Sequence, residues 1–372
     1  MEGINIMTYG TVNADTLVTS TSGGILGAGN ASIMKNRIIN GAMVIDQRNA
    51  GASVTPTTDG QYTLDRMQAL LAQSSKFSVQ QNAGSVTPPV GFLNYLGSTS
   101  LSAYTVGANE YFGIAQLIEG FNIADLGWGT ANAKTVTLSF WSYSSLTGTF
   151  GGTVANTAQD RSYPFSYTIS SANTWEYKTI TIAGETTGTW GTGNSIGIRL
   201  RFSLGAGSSK LGTANAWASA NYFAPTGATN VVSTNAATFY ITGVQLEVGS
   251  SATGFEYVNY QTSLANCQRY YIKYSGSGYR FYGGRTESTA AAIWQCALPV
   301  EMRTVPTVTA IDVTNLAIND SSVQVACTSI STAYSSTRQI AQGFNCGTVT
   351  NMRYIFLTPT SATAAVEASA EL

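Results

Sequence analysis

The side chains that most often catalyse reactions are sparse in this chain of 372 residues. It has no histidine, which excludes Ser-His-Asp and Cys-His catalysis and every histidine-ligated metal site. Cleavage of a glycosidic bond requires two carboxyl groups roughly 5 to 9.5 Å apart. The acidic residues of the central region follow no recognisable catalytic spacing: Glu110, Glu119, Asp125, Asp160, Glu176 and Glu185. We therefore expect a protein that is not an enzyme.

Tryptophan side chains are the first candidates for contact with a ligand, because a sugar ring can stack its apolar face on an aromatic ring. Five of the six tryptophans lie between residues 128 and 217. Trp141 falls on the opposite strand face from Leu138 and Phe140, so we expect it at the surface. Trp190 lies in the loop-like segment GETTGTWGTGNS. The alternative for each ring is packing in a core or between subunits.

A second aromatic group lies in the segment QRYYIKYSGSGYRFYGG, residues 268–284. Its pattern predicts a β-hairpin whose exposed turn is SGSG. Tyr274, Tyr279, Arg280 and Tyr282 would flank that turn. Tyrosine offers a large contact area at low conformational-entropy cost, so these four residues are candidates for binding a receptor or glycan. The equal alternative is that they seal the axis of a trimer.

Charge and hydropathy exclude two kinds of partner. Only 10% of the residues are charged and the net charge is −1, so the chain lacks the basic surface that binds nucleic acid. No stretch approaches the roughly 18 apolar residues of a membrane span, and we expect no membrane insertion. The N-terminal segment lacks the basic and apolar regions of a signal peptide.

The four cysteines form no C-x-x-C motif, and we expect free thiols, with one or two disulfides as the alternative.

The elements that position these residues are predicted to be β-strands. The clearest is NSIGIRLRFSLG, in which Ile198, Leu200 and Phe202 occupy one face. Arg199 and Arg201 occupy the other face. Because such strands are separated by Gly, Ser, Asn and Thr turns rather than by helices, they favour antiparallel packing.

Two segments depart from simple alternation. In ATFYITGVQLEVG the apolar phase slips by one residue at Gly243, which predicts a β-bulge. The segment TLDRMQALLAQ, residues 63–73, is the one helical candidate, because its apolar residues fit a period of 3.6.

The predicted fold is all-β, in three parts. Residues 1–35 are small and polar and read as an extended N-terminal docking arm. Residues 36–260 hold about ten strands and suit an antiparallel jelly-roll sandwich. Residues 261–372 are predicted to form a second, distal β-sandwich domain.

Several segments resemble bacteriophage tail-fibre and appendage proteins. They include KNRIINGAMVIDQRNAG, YTLDR, AKTVTLSFWSYSS, TWEYKTITIAGETTGTW and LPVEMRTVPTVT. The most specific combination is GVQLEVG-x-x-AT-x-F-E leading into CQRYY. The resemblance covers roughly residues 35 to 310, and the order and spacing of the segments match as well as their content.

The resemblance implies a virion component assembled in the host cytoplasm, with a jelly-roll like a carbohydrate-binding module and a distal β-domain. It implies a homotrimeric tail fibre that attaches to a host-surface glycan or receptor and contacts other tail proteins through its N-terminal arm. Such modules often hold a structural calcium through an Asp, but Thr242 stands at that position here, and we expect no metal and no cofactor. Two alternatives remain: a structural virion protein such as a collar, head-decoration or adaptor protein, and a polysaccharide hydrolase.

Overall fold

The computed structural model describes residues 16–18, 25–27, 34–278, 280–320 and 323–372. Apart from two short paired strands, β1 (Thr16–Val18) and β2 (Ile25–Gly27), the predicted N-terminal arm lies outside the described residues. Where the chain is described, most of its regular elements are β-strands, which confirms the all-β class. No helix in the described ranges is long and apolar enough to cross a membrane.

The jelly-roll domain contains thirteen strands. Eleven of them form two main sheets packed face to face, and the two shortest form a separate parallel pair. In chain order the thirteen are β3 (Gln61–Leu64), β4 (Met67–Leu71), β5 (Phe77–Gln81), β6 (Leu96–Ser100), β7 (Tyr111–Glu119), β8 (Val136–Ser144), β9 (Gly148–Ala155), β10 (Ser162–Ile169), β11 (Glu176–Ile182), β12 (Ile196–Ala206), β13 (Leu211–Gly212), β14 (Ala224–Pro225) and β15 (Thr238–Val248). One sheet has the order β11-β8-β15-β6-β5, and the other has the order β10-β9-β12-β7-β4-β3. Strands within both main sheets are antiparallel.

The predicted strand faces are confirmed. Ile198, Leu200 and Phe202 on β12 are at most 3% exposed, and they pack against Leu138 and Phe140 of the facing sheet in one continuous core. Burial of such side chains stabilises each by roughly 1.5–3 kcal/mol. The polar positions between them point away from the core, toward the outer faces of the two sheets.

The helix predicted over residues 63–73 is wrong, because this segment forms the hairpin of β3 and β4. The turn is Asp65-Arg66, and Arg66 has a positive φ of 69°. Met67, Ala69 and Leu71 alternate into the core with period 2. A short apolar run fits both periods, and here pairing of β4 with β7 selects the strand.

The distal domain follows a nine-residue helix, α1 (Tyr260–Gln268). Its strands are β16 (Tyr271–Ser275), β17 (Phe281–Thr286), β18 (Ala291–Ala297), β19 (Thr307–Ile311), β20 (Leu316–Asp320), β21 (Val323–Ala333), β22 (Gln339–Cys346), β23 (Tyr354–Pro359) and β24 (Ala365–Ser369). The second β-domain closes one of its sheets into a barrel, β17-β18-β22-β21-β20-β23, and packs the sheet β16-β24-β19 on the same core. The four cysteines are buried and free.

The hairpin predicted over residues 268–284 is wrong. Strand β16 pairs with β24, whereas β17 pairs with β18 and β23 of the barrel. The Gly- and Ser-rich segment between β16 and β17 therefore passes from the three-stranded sheet to the barrel instead of closing a two-stranded turn. Local composition predicted the turn, but long-range pairing decides which strands are neighbours.

Buried charges fix the distal domain on the jelly-roll domain. Arg66, only 1% exposed, forms an ion pair with Glu371 and donates a hydrogen bond to the Leu117 carbonyl oxygen. Its guanidinium lies 3.6 Å from the ring centre of Tyr270. Arg48 forms a second ion pair with Glu371, at 2.8 Å. One distal carboxylate thus neutralises two arginines of the jelly-roll domain.

A neighbouring ion pair has the opposite polarity. Arg269 of the distal side donates two hydrogen bonds to Glu119, at 2.7 and 3.0 Å, and the Tyr270 hydroxyl donates a third at 2.6 Å. Burial alone would raise the pKa of Glu119, but the bonds from Arg269 and Tyr270 hold it below its ordinary value. We call Arg48, Arg66, Glu119, Arg269 and Glu371 the interdomain cluster.

Three of these arginines come from the segments that carry the family resemblance. Arg48 belongs to VIDQR, Arg66 to YTLDR and Arg269 to CQRYY. They are up to 221 positions apart in the chain and meet at one interface. These motifs therefore have a structural role, which is to orient the distal domain.

Candidate functional site

The outer face of the five-stranded sheet carries a group of aromatic rings that are not part of the main core. We call it the aromatic face, and its rings are those of Phe92, Trp141, Tyr143, Trp175, Tyr177, Phe255 and Tyr257. The side chains alternate across the strands, so a ring beside a core residue in sequence points to the other side of the sheet. This surface is the main candidate site.

Trp141 lies near the middle of β8, where Tyr177 of β11 is its cross-strand partner. Their ring centres are 5.3 Å apart and the ring planes are inclined by 51°. Trp141 is half-buried, whereas Tyr177 is 45% exposed. Trp141 was expected at the surface, and it is partly exposed there. The more exposed ring beside it is Tyr177, which was not a candidate from the sequence.

Tyr143, two residues along β8, is held by a layer of further rings. It stacks on Tyr240 of β15 with ring centres 5.1 Å apart and planes inclined by 5°, and it contacts Trp175 at 5.3 Å. Tyr95 lies behind Tyr240 and is fully buried. This backing fixes the rings before a ligand arrives, which reduces the entropy that binding would otherwise cost.

Phe92 connects the two ends of the aromatic face. It packs against Phe255 at 5.1 Å and Tyr257 at 5.7 Å, and Tyr257 is 64% exposed. Phe92 and Trp141 meet at Gly243, the predicted bulge, which the register shift in β15 confirms. The glycine has a φ of 61°, and its missing side chain leaves room for both rings.

Replacement of Gly243 by alanine should disturb the aromatic face from beneath. An added Cβ would lie 2.6 Å from the Phe92 ring and 3.2 Å from Trp141, in a backbone conformation that costs an L-residue about 1–2 kcal/mol. We expect a lower unfolding midpoint in urea for Gly243→Ala. The matched control is Gly254→Ala, where an added Cβ would meet nothing within 4 Å, and an equal effect of the two substitutions would contradict the account.

A groove adjoins the aromatic face. It has a volume of about 840 Å³ and lies between the start of the jelly-roll domain and the segment leading through α1. Phe255 and Tyr257 contribute one wall, and the amide side chains of Asn259 and Asn266 contribute polar groups. A volume of this size, with aromatic walls and a few polar groups, is typical of a site for a small organic ligand.

Trp190 is not at the surface. It is 7% exposed and packs edge-on against Trp128 and Trp217, with ring centres 4.8 and 5.6 Å away. Its indole N–H donates to the Thr187 carbonyl oxygen. The core-packing alternative therefore describes Trp190. Its ring packs with two other large rings, and together they bury a large apolar area.

The candidates of the distal domain do not form one site in the described residues. Tyr274 is half-buried, contacts Trp294 and receives a hydrogen bond from the Cys296 thiol at 3.2 Å. Arg280 is exposed, and its guanidinium lies 5.5 Å from the Phe356 ring. Tyr279 and the side chain of Tyr282 lie outside the described part of the chain.

The carboxylates considered for catalysis are all engaged in structural contacts. Tyr104 donates to Glu110, Arg269 to Glu119, Arg37 to Asp125, Asn156 to Asp160, Lys178 to Glu176 and Arg161 to Glu185. The contacts of Glu185 show how such donors affect a carboxyl group. Burial would raise the pKa of Glu185, but the hydrogen bonds from Arg161 and Thr187 lower it. A lowered pKa suits a structural anion rather than a general acid.

Among the described residues, Asp65 is the carboxyl group whose pKa is raised. Burial raises it to about 6, which is the direction that a general acid requires. The group is nevertheless 1% exposed, and both of its oxygens accept hydrogen bonds from Gln47, at 2.6 and 2.7 Å. It lies at the interdomain interface, where the Gln47 amide also donates to the Tyr271 carbonyl oxygen.

Comparison with known proteins yields structural likeness only. No family model and no curated protein matches the chain. Among solved structures, the enzymatically active domain of tailspike protein 4 from bacteriophage CBA120 has 11% identity and a TM-score of 0.32, covering 58% of this chain and 22% of its own. A CBM4 structure has 17% identity and a TM-score of 0.28, covering 56% and 98%. The family 11 carbohydrate-binding module of Clostridium thermocellum, in complex with a mixed-linked tetrasaccharide, has 12% and 0.27, covering 54% and 98%. Because all three TM-scores are below 0.5, the functional argument rests on the residues of this chain.

Proposed function

We propose that this protein is a bacteriophage tail fibre that attaches the virion to its host by binding a surface glycan on the aromatic face. The observation that supports this most strongly is the pair Trp141 and Tyr177, which offers two adjacent rings on an open sheet face. The segments that resemble tail-fibre proteins support the virion assignment.

The aromatic face has the properties that sugar binding needs. A pyranose ring has an apolar face that can stack on a tryptophan or tyrosine ring, and its hydroxyls need hydrogen-bond partners at the edge. The phenol groups of Tyr177 and Tyr257 are exposed, and the groove beside Tyr257 adds amide groups. The surface carries few charges, which fits a ligand recognised by shape and stacking.

A single site of this kind binds weakly, and we propose that repetition supplies the attachment strength. In a homotrimer three aromatic faces would act together, so that avidity exceeds the affinity of one site by orders of magnitude. The N-terminal arm, residues 1–35, is proposed to dock on other tail proteins and so to place these faces at the virion surface.

We further propose binding without cleavage. The six carboxylates considered for hydrolysis are tied to Arg, Lys, Tyr or Asn partners, and the pKa values of Glu110, Glu119, Glu176 and Glu185 are lowered. Hydrolysis of a glycoside requires one carboxyl group with a raised pKa at the sugar. Asp65, whose pKa is raised, is enclosed between the domains.

Competition for adsorption tests the attachment role. Purified protein is added to host bacteria, and the rate at which virions then attach is measured. We expect slower attachment as the protein concentration rises, and no slowing with Trp141→Ala. Unchanged attachment in the presence of folded wild-type protein would contradict the proposal and favour a structural virion role.

A further inference from the structure

The opposite sheet of the jelly-roll domain contains a second, chemically different site. On the outer face of the six-stranded sheet, strands β4, β7 and β12 form the floor of a cleft with a volume of about 220 Å³. Arg199 and Arg201, two residues apart on β12, both line it. We call it the arginine cleft.

The two guanidinium groups in this cleft form no close ion pair in the described residues, and the carboxylate that attracts both of them is Asp59 of the same cleft. No carboxylate there lies within 4.0 Å of either group, and the Nε atom of Arg199 is buried without a hydrogen-bond partner. Seven other arginines of the described chain do form ion pairs: Arg37, Arg48, Arg66, Arg161, Arg269, Arg285 and Arg338. Arg280, Arg303 and Arg353 form no ion pair either, but Arg280 and Arg353 are exposed to solvent and Arg303 donates to three backbone carbonyl oxygens.

Arg201 is held rigidly by neutral groups. It is 3% exposed, donates to the side chains of Gln159 and Asn221, and lies 4.2 Å from the Phe223 ring centre. Burial first, and then the neighbouring Arg199, lower its pKa to about 9. Two adjacent cations in a partly dry cleft are costly unless an anion joins them, and a preorganised guanidinium pair matches the two oxygens of a carboxylate.

The other cleft groups favour a sugar over a simple anion. Asp59 and Gln68 also line the cleft and offer oxygen acceptors, and Tyr111 donates its hydroxyl to Asp59 at 2.9 Å. The Asp59 carboxylate can accept hydrogen bonds from the hydroxyl groups of a sugar. Tyr111 also stacks on Phe223 at 4.0 Å, which gives the cleft an aromatic wall.

We propose that the arginine cleft binds one carboxylated sugar unit, with the carboxylate on Arg199 and Arg201 and the hydroxyls toward Asp59 and Gln68. A volume of about 220 Å³ is below the roughly 300–1,000 Å³ of pockets for drug-sized ligands, which fits a single monosaccharide. This site lies on the other sheet from the aromatic face. It would let the jelly-roll domain recognise an acidic glycan, which a neutral aromatic platform cannot distinguish from an uncharged one.

Titration calorimetry of the full chain tests the proposal. The probes are methyl glucuronide and N-acetylneuraminate, with methyl glucoside and inorganic phosphate as controls. We expect at least one acidic sugar to bind, and Arg199→Gln to weaken that binding at least tenfold. Because Arg199 makes no hydrogen bond through its side chain to the described residues, this variant should fold. Arg353→Gln, an equal charge change on the exposed distal surface, should leave binding intact.

The outcomes separate this site from the aromatic face. Acidic-sugar binding that survives Trp141→Ala but not Arg199→Gln supports the arginine cleft, whatever the fate of the attachment role. Binding of neither acidic sugar, equal binding of methyl glucoside, or equal binding of inorganic phosphate would overturn it. Equal loss in Arg199→Gln and Arg353→Gln would also overturn it, because the effect would then be one of net charge.

Discussion

Replacement of Arg66 by methionine is expected to lower the free energy of unfolding by about 3–5 kcal/mol, the usual cost of breaking a buried ion pair by removing one partner. Arg66 is 1% exposed and connects Glu371, the Leu117 carbonyl oxygen and the Tyr270 ring. Methionine keeps part of the apolar contact but provides no charge and no donor. Glu371 would then depend on Arg48 alone.

Chemical denaturation monitored by tryptophan fluorescence measures this loss. The control is Arg338→Met, which breaks a 2.7 Å ion pair with Glu301 whose side chains are 77% and 49% exposed. Solvent-exposed pairs contribute little, so the midpoint of this control should stay where it is in the wild type. Equal shifts for Arg66→Met and Arg338→Met would show that the interdomain cluster does not hold the domains together.

Replacement of Trp141 by alanine is expected to weaken glycan binding by roughly ten- to a hundredfold, which corresponds to about 1.4–2.8 kcal/mol. The ring is half-buried on a sheet face and backed by Tyr177. Its removal deletes the stacking surface and leaves the main-chain pairing of β8 with β11 and β15 intact. Affinity for polysaccharide purified from the host surface is the quantity to measure.

The matched control for Trp141→Ala is Tyr334→Ala. Tyr334 is an exposed aromatic residue of the distal domain, 67% accessible to solvent, and it lies outside the aromatic face. We expect its replacement to leave affinity unchanged. If both substitutions weakened binding equally, or if Trp141→Ala had no effect on a folded protein, the glycan would have to bind elsewhere.

The strand pattern could be predicted well where a strand has one core face. The alternation in NSIGIRLRFSLG and the slip at Gly243 correspond to β12 and to the bulge in β15. Prediction failed where short local patterns compete with distant pairing. Residues 63–73 fit a helical period but pair with β7, and residues 268–284 look like a hairpin but join two different sheets.

The candidate site was harder to predict for the same reason. Trp141 could be placed on the outer face from its own strand, but Tyr177 became its neighbour only through the pairing of β8 with β11. Trp190, in a segment with loop composition, is enclosed by two tryptophans that are distant in sequence. Arg199 and Arg201 alternate with core residues on β12, and that spacing was the available signal for the cleft.

A glycan array probed with the wild-type protein, displayed at high density, shows whether the aromatic face binds a surface glycan. We predict binding to a defined set of bacterial surface saccharides, whose neutral members are lost in Trp141→Ala and retained in Tyr334→Ala. Absence of binding to every saccharide by a folded, multivalent protein would contradict the account, and so would a set of bound saccharides that is the same with and without Trp141.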